Sequence, residues 1–247
     1  MKLAIMQPYF LPYIGYYQLI GAVDLFIVYD NIKYTKKGWI NRNRMLVNGS
    51  DAMFSLALKK DSDALDIRDR ELAADFDRAR LLNQWRGAYG RAPFFKDTFP
   101  LLEEIVGFQD PNLFRYLFNS LRMTSTHLGL KTAFKVSSEV PIDHSLKFQD
   151  KVLALCEAVG ATTYINAIGG LELYDSDVFA ARGIEFRALR TRPFSYEQFG
   201  QAHVPYLSIV DLLMFNPVSK LQETIAGNFE LVEGRAGPDP LNLPFQS

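Results

Sequence analysis

Hydrophobic residues fall into three patterns along this chain. Continuous apolar runs at 2–6 and 25–29 read as strands buried on both faces, which is the habit of a parallel sheet. Between them, residues 7–17 carry Pro8, Pro12 and Gly15, and Gly15 opens a short helix that runs on through 18–24. Strict alternation follows: Trp39, Asn41, Asn43 and Met45 share one face, and Ile40, Arg42, Arg44 and Leu46 the other. Asn48-Gly49 between two β-prone runs predicts a hairpin. Helical spacing then fills 71–128, through Ala79, Leu82, Trp85 and Tyr89, then Phe99, Leu102, Ile105 and Val106, then Leu113, Tyr116, Leu117, Leu121 and Thr124. Pro93, Pro100 and Pro111 are expected at helix starts or turns.

From 134 onward, short strands at 134–136, 162–165 and 184–189 alternate with helices at 147–159, 175–182 and 209–215. Gly160 and Gly183 stop the first two helices, and Ser208 to Asp211 reads as a capping box opening the third. This order predicts an α/β fold: a mostly parallel sheet with helices on both faces, an N-terminal β-hairpin extension and a helical insertion at about 71–128. Residues 1–232 read as one domain, and 233–247, rich in Gly, Pro and Asn, as a disordered tail.

Composition narrows the function classes. At 48% hydrophobic and 22% charged residues, the chain is neither disordered nor fibrous. A net charge of −1 argues against a general nucleic-acid binder. Basic clusters at Lys36-Lys37, Arg42 with Arg44 and 187–192 keep a phosphate-bearing small ligand open. The single cysteine, Cys156, excludes an intrachain disulfide and fits a reducing compartment. No run approaches the roughly 20 apolar residues of a membrane span, and the start lacks a signal-peptide pattern. A cytoplasmic location is the expectation.

Two loops, 7–15 and 166–174, leave strands at their carboxyl ends and would line one crevice if those strands are neighbours. They offer Gln7, Tyr9, Pro12, Gly15 and Tyr16 on one side and Asn166, Gly169, Gly170 and Tyr174 on the other. Each also has a plain structural reading, as turn glycines, turn prolines or packed aromatics. The hairpin offers Trp39, Asn41, Arg42, Asn43 and Arg44, whose guanidinium groups match a carboxylate or diphosphate bidentately, or simply form a solvated face. There is no Walker loop, no Gly-x-Gly-x-x-Gly, no Gly-x-Ser-x-Gly and no Cys-x-x-Cys. His127, His144 and His203 are scattered, so no structural metal is expected. Cys156 lies in an apolar helix and reads as a packed thiol. His203, in a loop with Tyr196, Tyr206 and Asp211 around it, is the best-placed general base. Asp30, at a strand end, is the second candidate, or else a cap for the following turn.

Several segments together resemble the WbqC-like protein family: Gln7-Pro8 through Pro12, Gly15-Tyr16-Tyr17, Asp24 to Asp30, Gly38-Trp39 with Asn41-Arg42-Asn43, Tyr164-Ile165-Asn166 with Gly169-Gly170 and Tyr174, and the 207–215 segment beginning Leu-Ser-Ile-Val-Asp. The resemblance runs from residue 2 to about 230. It implies a place among bacterial surface-polysaccharide (O-antigen, lipopolysaccharide) gene sets, hence work on a sugar or nucleotide-sugar intermediate. On that footing the expected function is a transferase acting on a nucleotide-linked amino sugar, by acyl or aminoacyl transfer to its amine. Its partner is a small-molecule substrate, with an acyl or aminoacyl donor as co-substrate and with no nucleic acid. The oligomeric state stays open. A fainter likeness links the opening loop to the nucleotidyltransferases with a His-x-Gly-His motif, where Tyr13-Ile14-Gly15-Tyr16 replaces both imidazoles. The alternatives are therefore an ATP-using ligase with an altered motif, or a non-catalytic sugar-nucleotide-binding subunit.

Overall fold

The computed structural model of the chain describes residues 1–233. The opening apolar runs form β1 (Lys2–Met6) and β2 (Leu25–Val28), joined through α1 (Ile14–Gly21). The hairpin is β3 (Arg42–Val47) and β4 (Ser50–Ser55). Its turn places Asn48 and Gly49 at φ 50° and 78°, the left-handed pair that a two-residue hairpin turn requires. Three helices follow, α2 (Arg78–Tyr89), α3 (Phe95–Gly107) and α4 (Leu113–His127). The alternating part then runs β5 (Ala133–Val136), α5 (Phe148–Ala158), β6 (Thr163–Ala167), α6 (Ser176–Ala181), β7 (Glu185–Thr191), α7 (Ile209–Phe215), α8 (Val218–Gly227) and β8 (Phe229–Glu233).

The main sheet has the order β5-β2-β1-β6-β7-β8, parallel throughout except for β8, which runs antiparallel to β7. Connections build outward from β1 on one side and from β6 on the other. The switch point of this doubly wound sheet therefore lies between β1 and β6, the neighbours whose carboxyl ends carry the 7–15 and 166–174 loops. Side chains alternate to two cores. Ala4, Phe26, Val28 and Ile165 face α1, α7, α8 and the α2–α4 helices. Leu3, Ile5, Ile27 and Tyr164 face α5 and α6.

Four expectations are corrected. The first helix, expected to open at Gly15 and run to 24, spans Ile14–Gly21: its buried face begins with Ile14, and Ala22 already caps its end. Gln18 stays helical within the core because its amide is satisfied, donating to the Thr224 and Asn228 carbonyls (3.1 and 3.0 Å) and accepting from Thr191 Oγ1 (2.7 Å). In α2 the buried stripe is Leu81, Trp85 and Tyr89 rather than one through Ala79 and Leu82, since Asp77 caps the Arg80 amide and sets the phase. Pro100 sits inside α3 instead of at its boundary. The lost backbone bond is outweighed by burial of Phe99, Leu102, Ile105 and Val106. The predicted tail begins one residue late, since Glu233 closes β8; the rest of it, 234–247, lies outside the described residues.

Candidate functional site

The 7–15 loop is held in one unusual shape. Leu11 has φ 45°, a left-handed conformation that costs a residue with a Cβ about 1–2 kcal/mol. Five hydrogen bonds keep it there. Phe10 N donates to Ile40 O (2.9 Å), and Asn43 Nδ2 donates to the carbonyls of Phe10 (3.3 Å) and Leu11 (3.0 Å). Ser208 Oγ donates to Leu11 O (2.6 Å), and Ile209 N to Pro12 O (2.9 Å). The opening loop, the Asn41-Arg42-Asn43 strand and the Leu207-Ser208-Ile209 segment thus meet at one point. Within the loop, Tyr16 donates to Gln7 O (2.9 Å) and Gln7 Nε2 donates to the Tyr9 hydroxyl (2.8 Å). The Tyr13 ring lies over Gly15, where a Cβ would come within 2.5 Å of it. Burial pushes the Tyr13 phenol up to about 12, against a lowering bond with Thr191, so it stays protonated at neutral pH.

This clamp sets one wall of a cavity of about 230 Å³ beside the carboxyl end of β7. Tyr13 and Ile14 form that wall; Thr191 and Arg192 come from the end of β7 and just beyond it. Phe194, Ser195, Tyr196, His203 and Tyr206 follow on the connection to α7, and Leu212 closes the floor. Tyr206 is a second non-glycine residue at positive φ, 57°. Beneath the cavity Asp211 is fully buried. Its Oδ2 accepts from the Tyr196 hydroxyl (2.5 Å) and Gln198 Nε2 (2.7 Å), and Gln198 also holds both backbone groups of Val204 (2.7 and 3.2 Å). His203 therefore sits beside a pinned residue, its ring edge-to-face with Tyr196 at 4.9 Å. Among the described residues, His203 Nε2 has no hydrogen-bond partner, and neither has Asp211 Oδ1. Burial raises the Asp211 carboxyl above its ordinary range, opposed by the bonds from Tyr196 and Gln198 and by the nearby Tyr89 hydroxyl and His203. The capping box is only half formed: Ser208 Oγ accepts from Val210 N (3.2 Å), but the Asp211 side chain turns to Tyr196, and Ser208 N donates to Arg44 O (2.9 Å) instead.

Of the residues given a catalytic or substrate-binding role in the sequence, His203 alone lines this cavity, together with its named neighbours Tyr196 and Tyr206, Tyr13 of the opening loop and Arg192 of the basic run. Asn41 bonds Tyr34 and the Leu56 carbonyl (both 2.8 Å). Arg42 donates through Nε to Gly38 O (3.0 Å) and through a terminal nitrogen to Lys37 O. Arg44 reaches the Tyr206 carbonyl (3.1 Å) and Asp51 (3.4 Å), with its guanidinium 5.7 Å from the Trp39 ring. Asp30 is buried, and both its oxygens are taken, by Ser137 Oγ (2.7 Å), Ser138 N (3.0 Å) and Ser138 Oγ (2.6 Å). Asn166 lies against Gly170, where a Cβ would meet its Nδ2 at 2.1 Å, while Gly169 faces open space. Tyr174 packs among Tyr164, Phe179 and Phe186 (5.6–5.8 Å) on the opposite face of the sheet. Burial lifts the Cys156 thiol to about 12, which leaves it an inert packed group. Among the described residues, no group of His, Cys, Asp and Glu could hold a metal ion. Thr191 and Arg192 belong to no motif. The only signal for them is that the basic 187–192 run ends a parallel strand at the carboxyl edge.

The chain is thus a doubly wound α/β protein with an aromatic cavity at its carboxyl edge, the edge where open α/β sheets hold ligands. The sequence profile of the WbqC-like protein family matches residues 7–223, and the chain belongs to that family. It is similar to the uncharacterized protein Rv1507c of Mycobacterium tuberculosis, at 27% identity over 219 residues, which span 86% of this chain and 92% of that protein. No solved structure matches the chain. Among the described residues, no helix is long and apolar enough to cross a membrane.

Proposed function

We propose that this protein is a transferase acting on a nucleotide-linked sugar in surface-polysaccharide synthesis, by acyl or aminoacyl transfer to a sugar amine. The observation that carries the reading is the cavity itself: four aromatic rings, one histidine and one arginine brought together from three chain segments. At about 230 Å³ it takes a sugar or nucleobase ring rather than a whole nucleotide sugar, so the remainder lies across the mouth. Tyr13, Phe194, Tyr196 and Tyr206 supply flat apolar surface for that ring. Arg192, whose side chain is 56% exposed and held, among the described residues, only by a 4.0 Å ion pair with Glu230, is the diphosphate contact, because Arg42 and Arg44 are committed to backbone carbonyls. His203 accepts the proton of the amine as its nitrogen bonds the acyl carbon and the donor's leaving group departs. Asp30, with no free oxygen, is a strand tie. The lone buried thiol fits a reducing, cytoplasmic setting.

A second reading, an ATP-using ligase, draws on the strand order and on Tyr13-Ile14-Gly15-Tyr16 at the start of α1. Its weakness is local: the Tyr13 ring covers Gly15, and Tyr16 bonds inward. Thermal-shift titration with sugar nucleotides, acyl-CoAs and ATP with magnesium separates the two. A sugar nucleotide should stabilise the protein, and His203→Gln should keep that affinity within a few-fold while turnover falls by about 10²–10⁴. Stabilisation by ATP and magnesium alone, or parent-like turnover in His203→Gln, would overturn the proposal.

A further inference from the structure

The sheet's carboxyl edge holds a second polar cluster, on the α5 face and away from the β7 cavity. Its centre is Lys151, a lysine only 6% exposed. The described residues give its ammonium one long hydrogen bond, to Asn31 O at 3.3 Å, and the face of the Tyr29 ring at 5.0 Å. No described carboxylate lies within 4.0 Å of it. Asp30 is near, but its oxygens are already held by Ser137 and Ser138. Asp66, and less strongly Asp30, attract the ammonium, while Lys147 and Arg68 repel it. Lys147 and Arg68 are themselves exposed, and Arg68 pairs with Asp69 (3.9 Å), so Lys151 is the cation of this cluster that lies within the fold without a directly paired carboxylate. A lysine whose stem is buried and whose part-buried ammonium has one long protein acceptor is costly unless an opposite charge completes it.

The rim adds a second observation. Phe148, at the start of α5 three positions before Lys151, is 91% exposed and held at φ 46°. Leu173, 64% exposed, stands on the facing 166–174 loop, which is tied to α5 where Asp175 N donates to Gln149 Oε1 (2.6 Å). A bare phenylalanine in a left-handed conformation is unfavourable on both counts. We infer that Lys151 anchors a ligand site of its own, for a phosphate or carboxylate group carried on a small molecule whose apolar part covers Phe148 and Leu173. Desolvation holds the Lys151 ammonium below its ordinary pKa, as an ammonium lacking its counter-ion should be.

The probes are phenyl phosphate and benzoate, each at about 10 mM against sodium chloride of equal ionic strength, with the unfolding midpoint as readout. One of them should raise the parent's midpoint by about 2–4 °C. Lys151→Met should unfold at a higher temperature than the parent without ligand, and should lose the response. Lys151→Arg should keep the response, and so should Arg192→Ala, which alters only the other cavity. The inference is overturned if neither probe shifts the parent, if the shift survives Lys151→Met, or if Arg192→Ala abolishes it. It is also overturned if Lys151→Met and Lys151→Arg both melt below the parent, which would mark the lysine as a packing residue.

Discussion

Asp30 and Asp211 are two carboxylates buried to nearly the same degree, at 3% and 0% exposure, yet their surroundings are opposite. Asp30 has donors on both oxygens and joins the end of β2 to the turn after β5. Asp211 has two donors crowded on Oδ2 and none in bonding geometry on Oδ1. A carboxylate satisfied on both sides reads as architecture, since every lone pair it lost to burial has been replaced. One satisfied on one side, beneath a cavity and beside a histidine, reads as a site whose charge is tolerated for function. The difference lies in the partners, because Asp30 is bonded by serines 107 and 108 residues away.

The largest effect should come from Asp30→Ala. It strips three donors of their acceptor inside the fold and should cost about 3 kcal/mol in urea unfolding. A loss below about 1 kcal/mol would remove the contrast, because Asp30 would then be as dispensable as a surface group. Ser138→Ala is the smaller version. It deletes the 2.6 Å hydroxyl bond but leaves the Ser138 amide and Ser137 in place, so about 1 kcal/mol is expected.

How much of this was legible in the sequence depends on the range over which a residue's meaning is set. Strands and stops are local facts: the run from Leu25 to Val28, the Asn48-Gly49 turn and the glycines closing two helices sit where their chemistry puts them. β8 was not legible, because its Phe-Glu-Leu-Val-Glu alternation resembles a polar tail until β7 is beside it. The site was harder still. Asn43 looks like a ligand-binding polar residue and Ser208 like a helix cap alone, but both donate to the Leu11 carbonyl of the opening loop, 32 and 197 residues distant. The arginines at 42 and 44 look free for a phosphate and are taken by Gly38 and Tyr206. Polarity is written in the sequence; the partner that satisfies it is not. His203 could be found because a histidine among aromatics carries its chemistry with it. Thr191 could not, since it becomes a wall residue only when β7 ends beside Tyr13, and Arg192 shows only as the last member of a basic run.

The smallest change in stability, and the sharpest test of the contrast, belongs to Asp211→Asn. An asparagine keeps an oxygen to accept from Tyr196 and Gln198 and turns an amide donor toward Tyr89, so it preserves the geometry while removing the charge. The Asp211 carboxyl is raised above the ordinary value of 3.8, which sets the sign. The stability it contributes is full below that value, where folded and unfolded chains both hold the proton. It is lost as pH rises through the higher folded value, where the folded state must ionise a desolvated group. The parent should therefore lose stability relative to Asp211→Asn on going from acid to neutral pH, and at pH 8 the variant should be at least as stable. Urea unfolding of both proteins at acid and mildly alkaline pH measures this directly. If Asp211→Asn is less stable by more than about 1 kcal/mol at pH 8, the ionised carboxylate is itself a structural tie. The two buried aspartates would then differ in place but not in kind.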